Sequence, residues 1–198
     1  MATTKPKEAF LLFVNQFIDK TDVAMQLQIK AALSSFSFSF LKKNDFLVQE
    51  NEICNHFCYI ESGILQHAIE VDGEEKTTYL GLRNSVTSSL KSFLNQTASQ
   101  KSIKALVDTE LWIIDLKNFQ ELLQNNAAFH HFYFKLIEKQ IMLIDDYRID
   151  LLTLSPEERY KKLLVTEPKL LQEVPLHYLA SFLGISNRHM SRIRKNIK

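Results

Sequence analysis

The sequence predicts an α+β chain in which antiparallel strands lie between two helical regions, and three observations lead there. The apolar period shortens from about 3.6 residues to 2 near residue 35 and lengthens again near residue 126. Three of the four glycines fall inside the period-2 zone, and the C-terminal end from Val174 carries cations and no carboxylate. With 198 residues the chain can bury a proper core, and it suits one larger domain plus a small one. The boundaries expected on these grounds are a β-rich unit over residues 1–125, a long helix and hinge over 126–154, and a helical unit over 155–198.

Helical spacing at Phe10, Phe13, Val14, Phe17 and Ile18 predicts one or two helices over residues 7–33. The strict alternation Ser35-Phe36-Ser37-Phe38-Ser39-Phe40 then predicts a half-buried strand, and short β-like runs follow at 46–48, 57–60, 64–71, 77–82 and 102–114. Asp72-Gly73 lies between two alternating runs and marks a hairpin, since such turns need positive φ. Short strands separated by turns imply a sandwich or a barrel.

From Asn126, placed as a cap, apolar residues recur at Phe129, Phe132, Tyr133, Leu136, Ile137, Ile144, Tyr147 and Leu151. A helix over 127–152 is about 39 Å long, and its stripe extends past what one β-unit covers. A second copy of the same helix is therefore its expected partner. Residues 150–154 are the expected hinge. Ser155-Pro156-Glu157-Glu158 restarts the chain as a helix, with Ser155 as cap, Pro156 in the first turn and Glu158 closing a capping box.

Hydrophobic residues at 45% and charged residues at 24% exclude a disordered chain. No apolar run approaches the roughly 20 residues of a spanning helix, and the first residues lack the apolar core of a signal peptide, so a cytoplasmic protein with no membrane partner is expected. The net charge of +1 is unevenly divided. From Val174 onward there are five cations (Arg188, Arg192, Arg194, Lys195 and Lys198) and no carboxylate, which leaves −4 for the preceding residues. A basic end on a weakly acidic body suits a polyanion.

The most informative stretch begins at Val174-Pro175. Leu179 and Leu183 have the spacing of an inward face, Ala180 is small where two helices must cross, and Gly184 permits a tight turn. Ser186 caps a second helix whose inner side is Ile185, Met190 and Ile193. This is the pattern of a helix-turn-helix. The residues left outside are Asn187, Arg188, Ser191, Arg192 and Lys195, with Arg194 beside them. Arginine can donate two hydrogen bonds to guanine, asparagine can pair with adenine, and serine allows close approach. Arg194 and Lys195 suit phosphates. Double-stranded DNA is the partner these residues imply.

Ser155-Pro-Glu-Glu-Arg-Tyr160, Glu173-Val-Pro175, Ala180-Ser-Phe-Leu-Gly-Ile185 and Ser191-Arg-Ile-Arg-Lys195 resemble the C-terminal part of Crp/Fnr-type transcription regulators, especially those of Bacteroidetes. Lys42-Lys43-Asn44-Asp45, Cys58-Tyr59-Ile60-Glu61-Ser62-Gly63 and Val71-Asp72-Gly73-Glu74 are similar to strands of that superfamily's cyclic-nucleotide-binding-like β-barrel. The resemblance spans nearly the whole chain. It implies an N-terminal jelly-roll β-barrel sensor, a long dimerisation helix, a winged-type helix-turn-helix domain, a homodimer on a near-palindromic operator, and RNA polymerase as a further partner.

Members that bind cyclic AMP hold its ribose with a Gly-Glu pair and its phosphate with an Arg-Ser or Arg-Thr. Here the corresponding stretches are Ser85-Val-Thr-Ser-Ser-Leu-Lys-Ser-Phe-Leu94 and Ala98-Ser-Gln-Lys-Ser102, without glycine, carboxylate or arginine. Lys101 supplies a charge but no bidentate fork. Cyclic AMP is thus not the expected effector, and another ligand or none remains open. Cys54-Asn-His-Phe-Cys58 is the other candidate site. Four residues of strand span about 13 Å, too far for two cysteines to share one metal, so structural cysteines and no metal are expected. Two alternatives stay open: a ligand-binding module whose terminal helices contact protein, and a jelly-roll enzyme of cupin type, for which His56 and His67 fall short as metal ligands. No nucleophile, base and orienter can be assembled from spacing, so catalysis is not expected.

Overall fold

A computed structural model describes residues 7–196. Two helices, α1 (Glu8–Val14) and α2 (Val23–Ser34), precede the strands, and the Asp22 side chain caps α2 by accepting from the Met25 N–H. Eight strands follow: β1 (Ser37–Leu41), β2 (Phe46–Val48), β3 (His56–Ser62), β4 (Ile64–Val71), β5 (Glu74–Leu82), β6 (Ser85–Thr87), β7 (Ser102–Ala105) and β8 (Thr109–Asp115), with a short α3 (Leu90–Asn95) between β6 and β7. The turn between β4 and β5 is the expected hairpin, with positive φ at both Asp72 (54°) and Gly73 (76°).

The strands form two antiparallel four-stranded sheets, ordered β1-β8-β3-β6 and β2-β7-β4-β5. This corrects the expected barrel: the sheets face each other as a sandwich and do not close. Of the four edges, β6 is only three residues long and part of β5 is occupied by a helix, as described below. The core is aromatic. Phe10 of α1 stacks on Tyr59 of β3 at 4.2 Å, and Phe57 and Phe93 meet the ring of Phe119 from the other end. Phe57, Cys58, Tyr59 and Ile60 are all buried, because β3 is covered on both faces.

After β8, α4 (Leu116–Asn125) leads into α5 (Ala127–Thr153). Asn126 accepts from the Phe129 N–H and donates to the Gln28 carbonyl, while Gln28 accepts from the Ala128 N–H, so the start of α5 is tied to α2. The apolar stripe of α5 divides in two. Phe129, Phe132 and Leu136 lie in the chain's own core, which removes them from the expected dimer face, whereas Ile141, Met142, Ile144, Ile149, Leu151 and Leu152 are exposed. The helix continues through Thr153, and the backbone is extended at Leu154 and Ser155 before the next helix begins.

Beyond it lie α6 (Pro156–Thr166), α7 (Pro168–Glu173), α8 (Leu176–Phe182) and α9 (Asn187–Asn196). The Ser155–Glu158 capping box forms as expected. Arg159 holds the junction by donating to the carbonyls of Leu151, Leu154 and Leu183. The described residues beyond β8 form helices only, so the wing implied by the resemblance is not among them.

Candidate nucleic-acid interface and effector cleft

The pairing of α8 with α9 follows from local chemistry. At the end of α8 the Gly184 N–H donates to Ser181 O (3.1 Å) and the Ile185 N–H to Ala180 O (3.0 Å), a Schellman closure with Gly184 at φ 70°. Ser186 then caps α9, its Oγ accepting from the His189 N–H at 3.2 Å. Leu179, Ala180, Leu183, Met190 and Ile193 are buried in one cluster, and Ile185 packs against it. Holding Met190 and Ile193 inward sends the other side of α9 to solvent. Asn187, Arg188, Ser191, Arg192, Arg194 and Lys195 are all exposed, as the sequence pattern requires. Among the described residues, none of these four cations enters an ion pair. Ser191 Oγ donates to the Asn187 carbonyl (2.9 Å), which folds that hydroxyl back onto the helix.

Sequence pattern did not reveal how this helical unit meets the sandwich. Ile64, Leu80 and Leu106 of the second sheet and its adjoining loop share a buried cluster with Tyr160, Leu163, Leu179 and Met190. On the β5 edge the Thr77 N–H donates to Ser181 Oγ at 2.9 Å, and Ser181 Oγ donates to the Glu75 carbonyl at 3.4 Å. A helix side chain thus satisfies the open edge of a strand, a pairing of residues more than a hundred positions apart.

Between the sandwich and α5 lies a half-open cleft of about 410 Å3. The stretch that the resemblance assigns to the ligand pocket does line it, through Val86, Thr87, Ser88, Leu90 and Lys101. His67, Tyr147 and Phe182 also reach it, and no motif announced them. His67 Nε2 pairs with Thr87 Oγ1 at 2.5 Å, while its Nδ1 has no hydrogen-bond partner among the described residues. Burial, and then the nearby Lys101 charge, holds this imidazole well below its ordinary range, so it is neutral. Burial also lowers the Lys101 ammonium from its usual value.

Cys54 and Cys58 are free and buried. Cys54 Sγ lies 3.5 Å from Ser88 Oγ, and burial pushes the Cys58 thiol up, which suits packing rather than reactivity. No group of three His, Cys, Asp or Glu side chains among the described residues is placed to hold a metal ion. Nor is any helix among them long and apolar enough to cross a membrane.

Residues 38–126 match the family described as the cyclic nucleotide-binding domain. No curated protein matches the chain in sequence. Solved structures match it along most of its length. The catabolite activator protein of Thermus thermophilus is 19% identical and superposes with a TM-score of 0.57, covering 93% of this chain and 86% of that one. The c-di-GMP responsive global regulator CLP of Xanthomonas campestris is 17% identical over 86% of this chain and 90% of its own, with a TM-score of 0.65. A protein from Eubacterium rectale described as a Crp/Fnr-family transcriptional regulator is 18% identical over 88% and 82%, with a TM-score of 0.63. These organisms lend no support to the Bacteroidetes part of the resemblance. Residues 38–126 are thus similar to the cyclic nucleotide-binding domain, and the chain shares its fold with these three solved proteins, one of them described as a Crp/Fnr-family regulator.

Proposed function

We propose that the protein is a sequence-specific, DNA-binding transcription regulator that acts as a homodimer. Residues 1–125 form its sensor, 126–154 its dimerisation helix and 155–198 its helix-turn-helix reader. The observation that carries this reading is the face of α9: six exposed polar residues, four of them cations without an ion pair among the described residues, opposite the buried Met190 and Ile193. A cationic face is costly to crowd together unless a polyanion neutralises it.

In this reading α9 enters the major groove by its first turns. Arg188 and Arg192, one helical turn apart, present guanidinium forks to guanine edges, and Asn187 pairs with adenine. Arg194 and Lys195 meet phosphates and fix the register. The exposed second half of α5 pairs with its copy and sets two readers about 34 Å apart, one turn of the duplex. Duplex DNA, a second copy and, following the resemblance, RNA polymerase are the partners.

Selection from a random duplex pool, followed by fluorescence anisotropy at about 50 to 200 mM salt, tests this reading. A near-palindromic sequence is expected, with log affinity falling linearly as log salt rises. Failure to enrich any sequence, or an affinity indifferent to salt, would overturn it in favour of helices that contact protein.

A further inference from the structure

The cleft between the sandwich and α5 has two unlike walls. The sandwich side carries His67, Thr87, Ser88 and Lys101 beside the apolar Phe57 and Val86, whereas the side made by α5 and α8 is mainly apolar, with Leu136, Ile137, Leu143 and Phe182 around the single amide of Gln140. Its volume of about 410 Å3 lies within the range of roughly 300–1,000 Å3 common to small-molecule sites. Lys101 is largely withdrawn from solvent, and no carboxylate among the described residues pairs with its ammonium. A desolvated cation facing an apolar wall is unfavourable until an anion arrives. Beside it, the buried His67 keeps an unpartnered ring nitrogen. If Thr87 Oγ1 donates to Nε2, the Nδ1–H is left as a spare donor, a second request for an acceptor.

None of the lining residues is a carboxylate or an arginine. A cyclic nucleotide would find no carboxylate for its ribose hydroxyls and no guanidinium fork for its phosphate, and its polar base would face leucine and phenylalanine on the α5 side. We propose that this cleft binds an amphipathic monocarboxylate, with its carboxylate beside Lys101 and His67 and its apolar body along Leu136, Leu143 and Phe182.

Phe182 ends α8, next to the Ser181 that holds the β5 edge. An occupant touching Phe182 therefore presses on the element that carries α9. Binding stands by itself; its effect on DNA affinity rests on the reader assignment above.

Calorimetry on the full chain tests binding, with octanoate as probe, octanol as its uncharged counterpart, and cyclic AMP. Octanoate should bind at least tenfold tighter than either. Lys101→Met and Lys101→Gln, each checked by circular dichroism, should weaken octanoate at least tenfold and leave octanol unchanged. Equal affinity for octanol, tighter binding of cyclic AMP, or no heat with octanoate would overturn the proposal. If neither variant folds, the octanoate and octanol comparison on the unaltered chain decides. Anisotropy on a selected duplex with and without octanoate then reads the coupling. A chain that binds octanoate but no DNA refutes the reader assignment alone, and one that binds DNA but not octanoate refutes the cleft alone.

Discussion

The two halves of α5 have similar apolar content and opposite fates. In the first, Phe129, Phe132 and Leu136 are buried among α1, β3 and α4, where Phe119 meets Phe129 edge-on at 5.6 Å. In the second, Ile141, Met142 and Ile144 keep more than 60% of their surface, and Leu152 keeps 78%. At 100° per residue these exposed side chains, with Ile149 and Leu151, cover about half the helix circumference. The difference teaches that one hydrophobic stripe need not be buried by its own chain along its whole length. Its first half builds the fold, and its second half is a contiguous apolar surface of the kind that marks an interface.

Substitutions on the two halves should therefore break different things. Phe132→Ala, in the first half, should lower the unfolding free energy by about 3–5 kcal/mol in a urea titration, because a fully buried ring leaves a cavity. Ile141→Glu with Ile149→Glu, in the second half, should leave that stability nearly unchanged. The pair should instead give monomers in sedimentation and reduce affinity for a two-half-site duplex at least tenfold, about 1.4 kcal/mol, since charges would be buried at the helix pair. Unchanged dimers would exclude this surface as the interface.

Acid adds a test at the cleft, whose α5 lining runs from Leu136 to Tyr147 across both halves. Burial keeps folded His67 from taking the proton it binds when unfolded, near pH 6.5 and below. The unfolded state then binds more protons, so stability falls as pH drops below about 6.5, by up to about 1.4 kcal/mol per unit, until the folded group itself titrates. His67→Gln should flatten the loss between pH 7.5 and 5.5; an equal slope in both proteins would assign it to other groups. The smallest effect is expected past the end of the second half. Ser155→Ala removes the cap that restarts the chain as α6 and should cost about 1 kcal/mol in the same titration.

What could be read from sequence was what local chemistry decides. Asn126, Ser155 and Gly184 punctuate helices through side-chain or backbone hydrogen bonds a few residues long, and Asp72-Gly73 makes its hairpin alone. The exposed face of α9 was equally legible, because burying Met190 and Ile193 leaves one direction for the cations. Alternation at Ser37 to Phe40 marked a strand without saying which face is covered, and Phe38 and Phe40 remain nearly half exposed. Sandwich and barrel were indistinguishable, since closure depends on edges rather than on period. His67, Lys101 and Phe182 converge from distant parts of the chain, and the Ser181 contact with β5 has no local signal.

The central claim is that α9 reads bases, and anisotropy of Arg192→Ala beside Lys195→Ala on selected and scrambled duplexes tests it most directly. Arg192→Ala should cost about 1–3 kcal/mol on the selected duplex and relax preference at one base pair in each half-site. Lys195→Ala should weaken both duplexes equally and make the salt dependence shallower by about one unit of slope per half-site, while circular dichroism reports both variants folded. If Arg192→Ala weakened selected and scrambled duplexes alike and left base preference intact, the assignment of α9 as the reading element would be contradicted.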